Sequence, residues 1–405
     1  MESSKEGQVK NKKNIPSPAD HKRHKRFYAI VRPSIRLFLK FKYGLKLETL
    51  PKQKRPFILM ANHTTEVDTV MSASSVPRNF LYFIAGEHLF RGKYGHVLKK
   101  YCDPIPLPKG SSAIPTIRAM VDRVKAGYNI MIFPEGSRSF NGETAKVSQA
   151  TGKMVKIAGC DLITYRLMGG YFVAPRWAYK FRKGKMWGEL GGVYKAEDLK
   201  NMDPQEIADI INRDLHVNAY ETQRKHMYTY KCDALAEGLE NYLVLCPKCG
   251  KFDTMQSKGN EFWCSECGQR GIYDEHGFLQ GDGLKFNSVY DWGKWIEQEF
   301  DARMSKKTDN SERLFLEKDV KLCELVDGQE IPICEGELEV YNDRMVMGEN
   351  VFDLEHTTNM SMLYFGKTLL FTCHHKYYSI TGEHFHAWKE NRLYELFEEA
   401  VKNKE

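Results

Sequence analysis

The stretch FILMANHTTEVD, residues 57–68, decides the fold. Its first five residues are apolar without interruption, which is typical of a short strand buried on both faces. The polar residues that follow place His63 at the carboxyl end of this strand, where α/β folds build their sites. A helix should begin at Thr64 or Thr65, because threonine is a favourable N-cap, and Asp68 then falls in the first helical turn.

Similar apolar runs recur further along the chain, separated by helical patterns. We predict strands over residues 80–85, 129–133 and 171–175. The helix that closes this region has a clear start, with Asp203 as its N-cap, Pro204 in the first turn and Glu206 completing a capping box. The fold class is therefore α/β, with a mixed sheet flanked by helices.

The length of 405 residues and the composition, 42% hydrophobic and 12% aromatic, predict two or three domains. Every apolar run is interrupted too early for a membrane-spanning helix, which needs roughly 18 consecutive apolar residues, so we expect no span. The N-terminus is charged and lacks the apolar core of a secretory signal. We therefore expect the protein to reside in a reducing compartment. In such a compartment the ten cysteines should be free thiols or metal ligands rather than disulfides.

The positive charge of the chain is concentrated near its start. Residues 1–50 contain 13 Lys and Arg against 4 Asp and Glu, whereas the whole chain has a net charge of only +7. Residues 1–26 are polar and basic, which predicts a flexible tail. From residue 27 to 47 a cationic stripe alternates with apolar positions, which predicts an interfacial helix on an anionic membrane surface.

That stripe consists of Arg32, Arg36 and Lys40. Pro33 would break a hydrogen bond in the middle of a helix, so the helix could begin there, with proline at its first position. A helix docked on the protein core, with its charges in solvent, is the alternative interpretation of the same pattern.

Asp68 lies within reach of the His63 imidazole, and such a carboxylate fixes the tautomer of a general base and stabilises the imidazolium that forms. A second motif, FPEGSRS (residues 133–139), ends another predicted strand. It combines a turn, a carboxylate, a glycine that allows close approach and a guanidinium suited to phosphate. Either motif alone has low specificity, but together they indicate a base beside a loop that grips a phosphorylated substrate.

These two motifs resemble those of the 1-acylglycerol-3-phosphate acyltransferases and their glycerol-3-phosphate acyltransferase relatives, and the resemblance spans roughly residues 27–230. We assign residues 27–240 to an acyltransferase domain that begins with the interfacial helix. The resemblance implies the glycerolipid acyltransferase fold, with His63 and Asp68 activating the acceptor hydroxyl and Glu135, Gly136 and Arg138 binding the glycerol phosphate. It also implies acyl-CoA or acyl carrier protein as donor, a lysophosphatidate-like acceptor, phosphatidate as product and no cofactor for the chemistry.

The other sequence motifs of the family match this chain less closely. An apolar strand ending in proline is similar to residues 172–175, which implies a substrate contact at Pro175. The second block usually ends in arginine, whereas this chain has Pro108, Lys109 and Gly110. Lys109 could replace that arginine as a point charge on the phosphate, and Arg176 is the alternative.

Two C-x2-C pairs separated by fourteen residues, each followed by a glycine, predict a metal site. Four thiolates fill the coordination sphere of Zn²⁺, so the site should be structural and the segment 241–275 is similar to a zinc ribbon. Disulfides, free thiols or another metal are the alternatives. The ligands are Cys246, Cys249, Cys264 and Cys267.

Residues 310–402 are rich in strand patterns and end in an amphipathic helix over 388–401. This order is similar to a pleckstrin-homology-like barrel. Four histidines in this region have no matching carboxylates, and we assign them no role: His374, His375, His384 and His386.

The sequence favours an acyltransferase at the cytoplasmic face of a membrane, held there peripherally. A non-catalytic membrane adaptor, using the ribbon and the β-rich region to bind a partner, is the alternative. Nucleic-acid binding is disfavoured because acidic residues offset the lysines of the ribbon.

Overall fold

The computed structural model describes residues 15–77, 79–86, 90, 95–107, 113–307, 309–326 and 329–402. These residues form three sheets in order along the chain: seven mixed strands, four antiparallel strands and seven antiparallel strands. Within this described part, no helix has both the length and the hydropathy to cross a membrane.

The first sheet is mixed, as predicted. Its strands follow the order β1-β7-β6-β2-β5-β3-β4, and neighbouring strands are parallel except β6 and β7. The strands are β1 (Lys46–Leu47), β2 (Phe57–Ala61), β3 (Leu81–Gly86), β4 (Ile105–Leu107), β5 (Asn129–Ile132), β6 (Asp161–Met168) and β7 (Trp187–Tyr194).

Helices cover both faces of this sheet, so the central strand β2 is buried along its whole length. Its side chains alternate between two cores, with Ile58 and Met60 in one and Phe57, Leu59 and Ala61 in the other. The helices are α1 (Pro18–Tyr43), α2 (Asp68–Ser75), α3 (Gly95–Tyr101), α4 (Ile114–Lys125), α5 (Gln149–Ala158), α6 (Gly170–Val173), α7 (Ala196–Asn201), α8 (Pro204–Leu215) and α9 (Ala219–His226).

One predicted strand is wrong. Residues 171–175 lie in and just after the short helix α6, and the strand in this part of the chain is β6, which precedes it. All four residues of α6 are buried, and a short apolar run buried on every side has no periodicity that separates helix from strand. The predicted start of α8 is confirmed, because Asp203 and Glu206 form the capping box.

Helix α1 begins earlier than predicted, at Pro18, so part of the expected tail is helical. The Ser17 hydroxyl accepts a hydrogen bond from the Asp20 backbone N–H and Pro18 occupies the first turn, which together start the helix. Pro33 therefore lies inside the helix rather than at its beginning. Residues 1–14 lie outside the described residues.

The cationic stripe of α1 is partly used inside the protein. Arg32 and Arg36 both donate to the Ser74 carbonyl at the end of α2, at 2.8 and 2.9 Å. Cations at this end of a helix are favourable because the last carbonyls carry partial negative charge. Only part of the stripe is therefore free to meet a membrane.

The second sheet contains the cysteine pairs and has the strand order β11-β10-β9-β8. A long helix, α10 (Val289–Met304), follows it and was not predicted. The strands are β8 (Met255–Lys258), β9 (Glu261–Cys264), β10 (Arg270–Tyr273) and β11 (Leu279–Gln280).

The third sheet is antiparallel throughout and has the order β15-β14-β13-β12-β18-β17-β16. The predicted C-terminal helix follows it as α11 (Trp388–Lys402). The strands are β12 (Phe315–Val326), β13 (Gln329–Val340), β14 (Arg344–Met347), β15 (Asn350–Asp353), β16 (Thr357–Leu363), β17 (Thr368–Cys373) and β18 (Lys376–Gly382).

The three sheets share the larger of the two hydrophobic cores. Trp177, which follows α6, packs in the same cluster as Cys264 of β9, Trp292 of α10 and Leu322 of β12. Lys389 of α11 is also buried and forms ion pairs with Asp253, which lies between the cysteine pairs, and Glu317 of β12. Packing is therefore continuous across the predicted domain boundaries.

Candidate active site

The two predicted motifs meet because β2 and β5 are adjacent parallel strands, with Met60 opposite Ile132. The loops that follow them leave the same edge of the sheet. The His63 backbone N–H donates to Glu135 Oε1 at 2.7 Å, and the Ser139 N–H donates to the His63 carbonyl at 3.3 Å. Both sides of the His63 backbone are thus held by the second motif.

His63 and Asp68 form the predicted pair, with 3.0 Å between His63 Nδ1 and Asp68 Oδ2. Asp68 is fully buried and also accepts the Thr64 and Thr65 N–H groups and the Thr65 hydroxyl. A carboxylate with so many donors accepts rather than donates, so the proton on Nδ1 faces it and the Nε2 lone pair is free. The His63 side chain is 21% exposed, so the ring is not walled off from solvent.

Two further residues support the imidazole and its strand, and no local sequence pattern indicates their roles. The Phe133 ring stacks on the His63 ring with 4.2 Å between centroids. Asn62 is fully buried and its side chain pairs with both backbone groups of Leu167, which extends the β2–β6 ladder past Ala61. Both contacts depend on strand neighbours that are distant in sequence.

Glu135 holds the loop together. One carboxylate oxygen accepts the His63 N–H and the other accepts the Ala145 N–H at 2.9 Å. Burial raises the pKa of this carboxyl to about 7, against the opposing effect of the two N–H donors. With both oxygens used in this way, Glu135 positions the base rather than facing a substrate.

Gly136 and Arg138 are the parts of the loop that face outward. Gly136 has φ +72° with open space beside its α-carbon, so a ligand can approach its backbone closely. The Arg138 guanidinium is 21% exposed and lies 3.5 Å from the carboxylate of Glu66, which follows His63 in the first motif. Arg138 is therefore a partly exposed cation that contacts the first motif through Glu66.

The positions of the remaining predicted substrate-binding residues give less support to their predicted roles. Lys109 lies outside the described residues. Pro175 is buried, so in this conformation it contacts protein and not substrate. Arg176 donates to the carbonyls of Arg138, at 3.0 Å, and Met362, at 2.7 Å, and so ties the loop to β16.

The four predicted cysteines converge. Their sulfur atoms all lie within 4.8 Å of one another, and the pairs Cys246–Cys267 and Cys249–Cys264 are each separated by 3.7 Å. A tetrahedron with Zn–S bonds of about 2.3 Å has sulfur atoms about 3.8 Å apart, so the cluster fits this ion. Gly250 and Gly268, after each pair, adopt φ +69° as the tight turns require.

A second group that could hold a metal combines Asp353, His356 and His374. Of the histidines to which we assigned no role, His374 therefore does have a carboxylate nearby. Both histidines are exposed, and their rings stack on each other.

Comparison with known protein families finds a match over the part of the chain that contains both motifs. Residues 44–168 match the family model described as Acyltransferase. A search of curated proteins finds no match.

Among solved structures, the 1-acyl-sn-glycerophosphate (LPA) acyltransferase PlsC from Thermotoga maritima is similar at 20% identity and a TM-score of 0.38. The similarity covers 49% of this chain and 77% of that one. A likeness this weak says nothing about the substrates of the present chain. The family match covers the strand, the His63–Asp68 pair and the Arg138 loop, and this protein is an acyltransferase.

Proposed function

We propose that the protein transfers a fatty acyl group from acyl-CoA or acyl carrier protein to the free hydroxyl of a lysophosphatidate-like glycerol phosphate, giving phosphatidate at a membrane surface. The observation that carries this proposal is the meeting of the two motifs. Glu135 and Ser139 join the second motif to the backbone of His63, and Arg138 of the same loop lies beside Glu66 of the first motif.

In the proposed reaction, Nε2 of His63 removes the proton of the acceptor hydroxyl as its oxygen attacks the thioester carbonyl carbon. Asp68 stabilises the imidazolium that forms. The tetrahedral intermediate collapses with cleavage of the C–S bond, and the imidazolium returns its proton to the leaving thiolate. This sequence needs neither a covalent enzyme intermediate nor a cofactor.

Arg138 is proposed to bind the acceptor phosphate, because its fork of N–H donors matches phosphate oxygens. The open backbone at Gly136 allows that phosphate to approach closely. Both groups lie in the loop that Glu135 fixes to His63, so a phosphate bound there would be held at a defined distance from the base.

A structural Zn²⁺ is proposed for the four-cysteine cluster. The sulfur spacing supports it, and four protein ligands leave no open position for catalysis. When bound, the ion would fasten the two cysteine pairs of the ribbon together.

A peripheral position on the cytoplasmic face of a membrane is proposed from the surface of α1. Ile30, Leu37 and Phe41 recur at spacings of seven and four, so they lie on one helical face, and they are 76%, 56% and 76% exposed. Lys22, Arg26 and Lys40 are exposed on the same helix. Exposed apolar groups with cations beside them are typical of helices that lie in an anionic lipid surface.

Product analysis by mass spectrometry tests the proposal. The purified protein is mixed with liposomes, lysophosphatidate and acyl-CoA, and in parallel with acyl carrier protein as donor. We expect phosphatidate from the wild type and a loss of about 10² to 10⁴-fold in turnover for His63→Ala, with membrane association unchanged. Near-normal turnover of the variant would reject His63 as the base, and no product from either donor would favour the adaptor interpretation.

A further inference from the structure

Three side chains that commonly bind metals converge at one corner of the third sheet: Asp353, His356 and His374. The ligand atoms of the carboxylate and the two imidazoles all lie within 4.8 Å of one another. All three residues lie outside the segment that matches the acyltransferase family. The proposed reaction uses none of them, so their convergence requires another explanation.

Local structure brings Asp353 and His356 together. Asp353 is the N-cap of the short 3₁₀ turn Leu354–His356. Such a turn has three residues per turn, so side chains three positions apart lie on the same side. Leu354 is 2% exposed and anchors the turn in the hydrophobic core. The carboxylate and the first imidazole therefore leave one side of a turn that is fixed to the protein.

Strand pairing adds the second imidazole. In the antiparallel pair of β16 and β17, Thr357 lies opposite Cys373. His356 precedes Thr357 and His374 follows Cys373, so the same register brings the two histidines opposite each other. Their rings stack with 4.6 Å between centroids. The third ligand thus depends on a contact between residues that are distant in sequence.

No protein group competes for these three side chains. Within the part of the chain that the structure describes, none of them forms a side-chain hydrogen bond or an ion pair. Both imidazoles are exposed and Asp353 is half-buried, so an ion can reach them from solvent. An exposed carboxylate without a partner is common, but two imidazoles that converge on a carboxylate form a recognised set of metal ligands.

The ligand types select the class of metal. Imidazole nitrogen suits divalent transition metals such as Zn²⁺ and Ni²⁺, whereas Ca²⁺ and Mg²⁺ prefer oxygen ligands alone. Bonds of about 2.0 to 2.2 Å place neighbouring ligand atoms about 3 to 4 Å apart, so a small rotation of the exposed imidazoles closes the site. Three protein ligands leave the remaining positions to water, in contrast to the four-cysteine cluster.

We propose that Asp353, His356 and His374 bind a divalent transition-metal ion, which fastens the turn between β17 and β18 to the corner that precedes β16. At the other end of β16, the Met362 carbonyl accepts a hydrogen bond from Arg176. About 17 Å of strand separates Thr357 from Met362, so the ion stiffens β16 from the end remote from that contact. The proposal does not depend on the proposed acyl transfer.

Calorimetric titration of the full chain with NiCl₂ tests the proposal. The protein is first dialysed against citrate, a weak chelator that removes metal from an exposed site. We expect one Ni²⁺ per chain for the wild type, bound at least about tenfold more weakly by His374→Ala and by Asp353→Asn, since each variant lacks one of three ligands. Ni²⁺ should also raise the thermal midpoint of the wild type and leave that of His374→Ala unchanged, because an ion that binds only the folded state stabilises it.

The matched control is His375→Ala, because His375 is an exposed histidine of the same turn and lies outside the group. It should bind Ni²⁺ like the wild type. Equal weakening by the His374 and His375 variants would show adventitious binding to surface histidines only. Wild-type affinity in both His374→Ala and Asp353→Asn, or no Ni²⁺ bound by the wild type, would overturn the proposal. Ni²⁺ bound by the cysteine cluster would not respond to either variant, so the two metal sites are distinguishable.

Discussion

His63 reaches its position because different groups hold its backbone and its ring. Glu135 and Ser139 fix the backbone, whereas Asp68 and Phe133 fix the imidazole. The sequence was sufficient to predict the pair of His63 and Asp68, because both lie in one local motif. It could not predict the stacking of Phe133 or the bracing by Glu135, since both depend on the pairing of β2 with β5.

Glu66 pairs with Arg138, and under the proposed function it would compete with the acceptor phosphate for this cation. Its carboxylate is 66% exposed and 3.5 Å from the guanidinium, where an acceptor phosphate is proposed to bind. Glu66→Gln removes this competing charge, and exposed ion pairs are worth about 0 to 1 kcal/mol. We therefore expect KM for lysophosphatidate to fall about two- to fivefold with kcat unchanged, as measured by steady-state kinetics.

Glu197→Gln is the control for this change, because it breaks another exposed ion pair, with Arg55, away from the site. It should leave KM unchanged. A KM for lysophosphatidate that rises in Glu66→Gln would show that Glu66 assists binding of the acceptor.

At the scale of elements, the sequence predicted strands for all fully buried apolar runs, and one of these runs is a helix. The run at 57–61 has both faces covered and is a strand, whereas the similar run at 171–175 begins in a buried helix. Only tertiary packing distinguishes the two. Helix α1 was found from its periodicity, but the interaction of Arg32 and Arg36 with Ser74 could not be inferred from their spacing.

Phe41→Asp tests the membrane role of α1. The side chain is 76% exposed, so the change should leave the thermal midpoint of unfolding unaltered. A phenylalanine inserted in lipid contributes about 1.5 to 3 kcal/mol, so we expect co-sedimentation with anionic vesicles to weaken at least tenfold. Ile331→Asp, at a 49% exposed position of β13, should bind vesicles like the wild type. Equal binding by the Phe41 variant would exclude this face of α1 as the contact.

The zinc site proposed for the four-cysteine cluster predicts a dependence on metal. We expect about one zinc per chain by elemental analysis, and Cys264→Ser should lose most of it together with several kcal/mol of stability. Cys232→Ser is the control, because Cys232 lies outside the cluster. Full zinc content in the Cys264 variant would contradict the assignment.

For the whole molecule, three sheets follow one another along the chain: the mixed α/β sheet, the sheet that contains the cysteine pairs and the seven-stranded antiparallel sheet. What the sequence could not reveal is how closely they pack. Lys389 of α11 is 2% exposed and pairs with Asp253 of the ribbon and Glu317 of β12. Long-range partners of this kind leave no local pattern.

Lys389→Met keeps most of the side-chain volume but leaves Glu317 buried without its cation. Breaking a buried pair in this way costs about 3 to 5 kcal/mol, which urea unfolding would measure. Lys402→Met removes an exposed lysine of the same helix, paired with Glu398, and should cost less than about 1 kcal/mol. Similar losses for the two variants would mean that the buried pair contributes little.

The continuous core also constrains how this chain can vary. Trp177, Trp292 of α10 and Leu322 of β12 come from distant parts of the chain yet belong to one buried cluster. Deleting the last third of the chain would uncover apolar surface on the part that carries the chemistry, and the truncated product would tend to aggregate. The second and third sheets can therefore be gained or lost only if the apolar residues that they cover on the first region change as well.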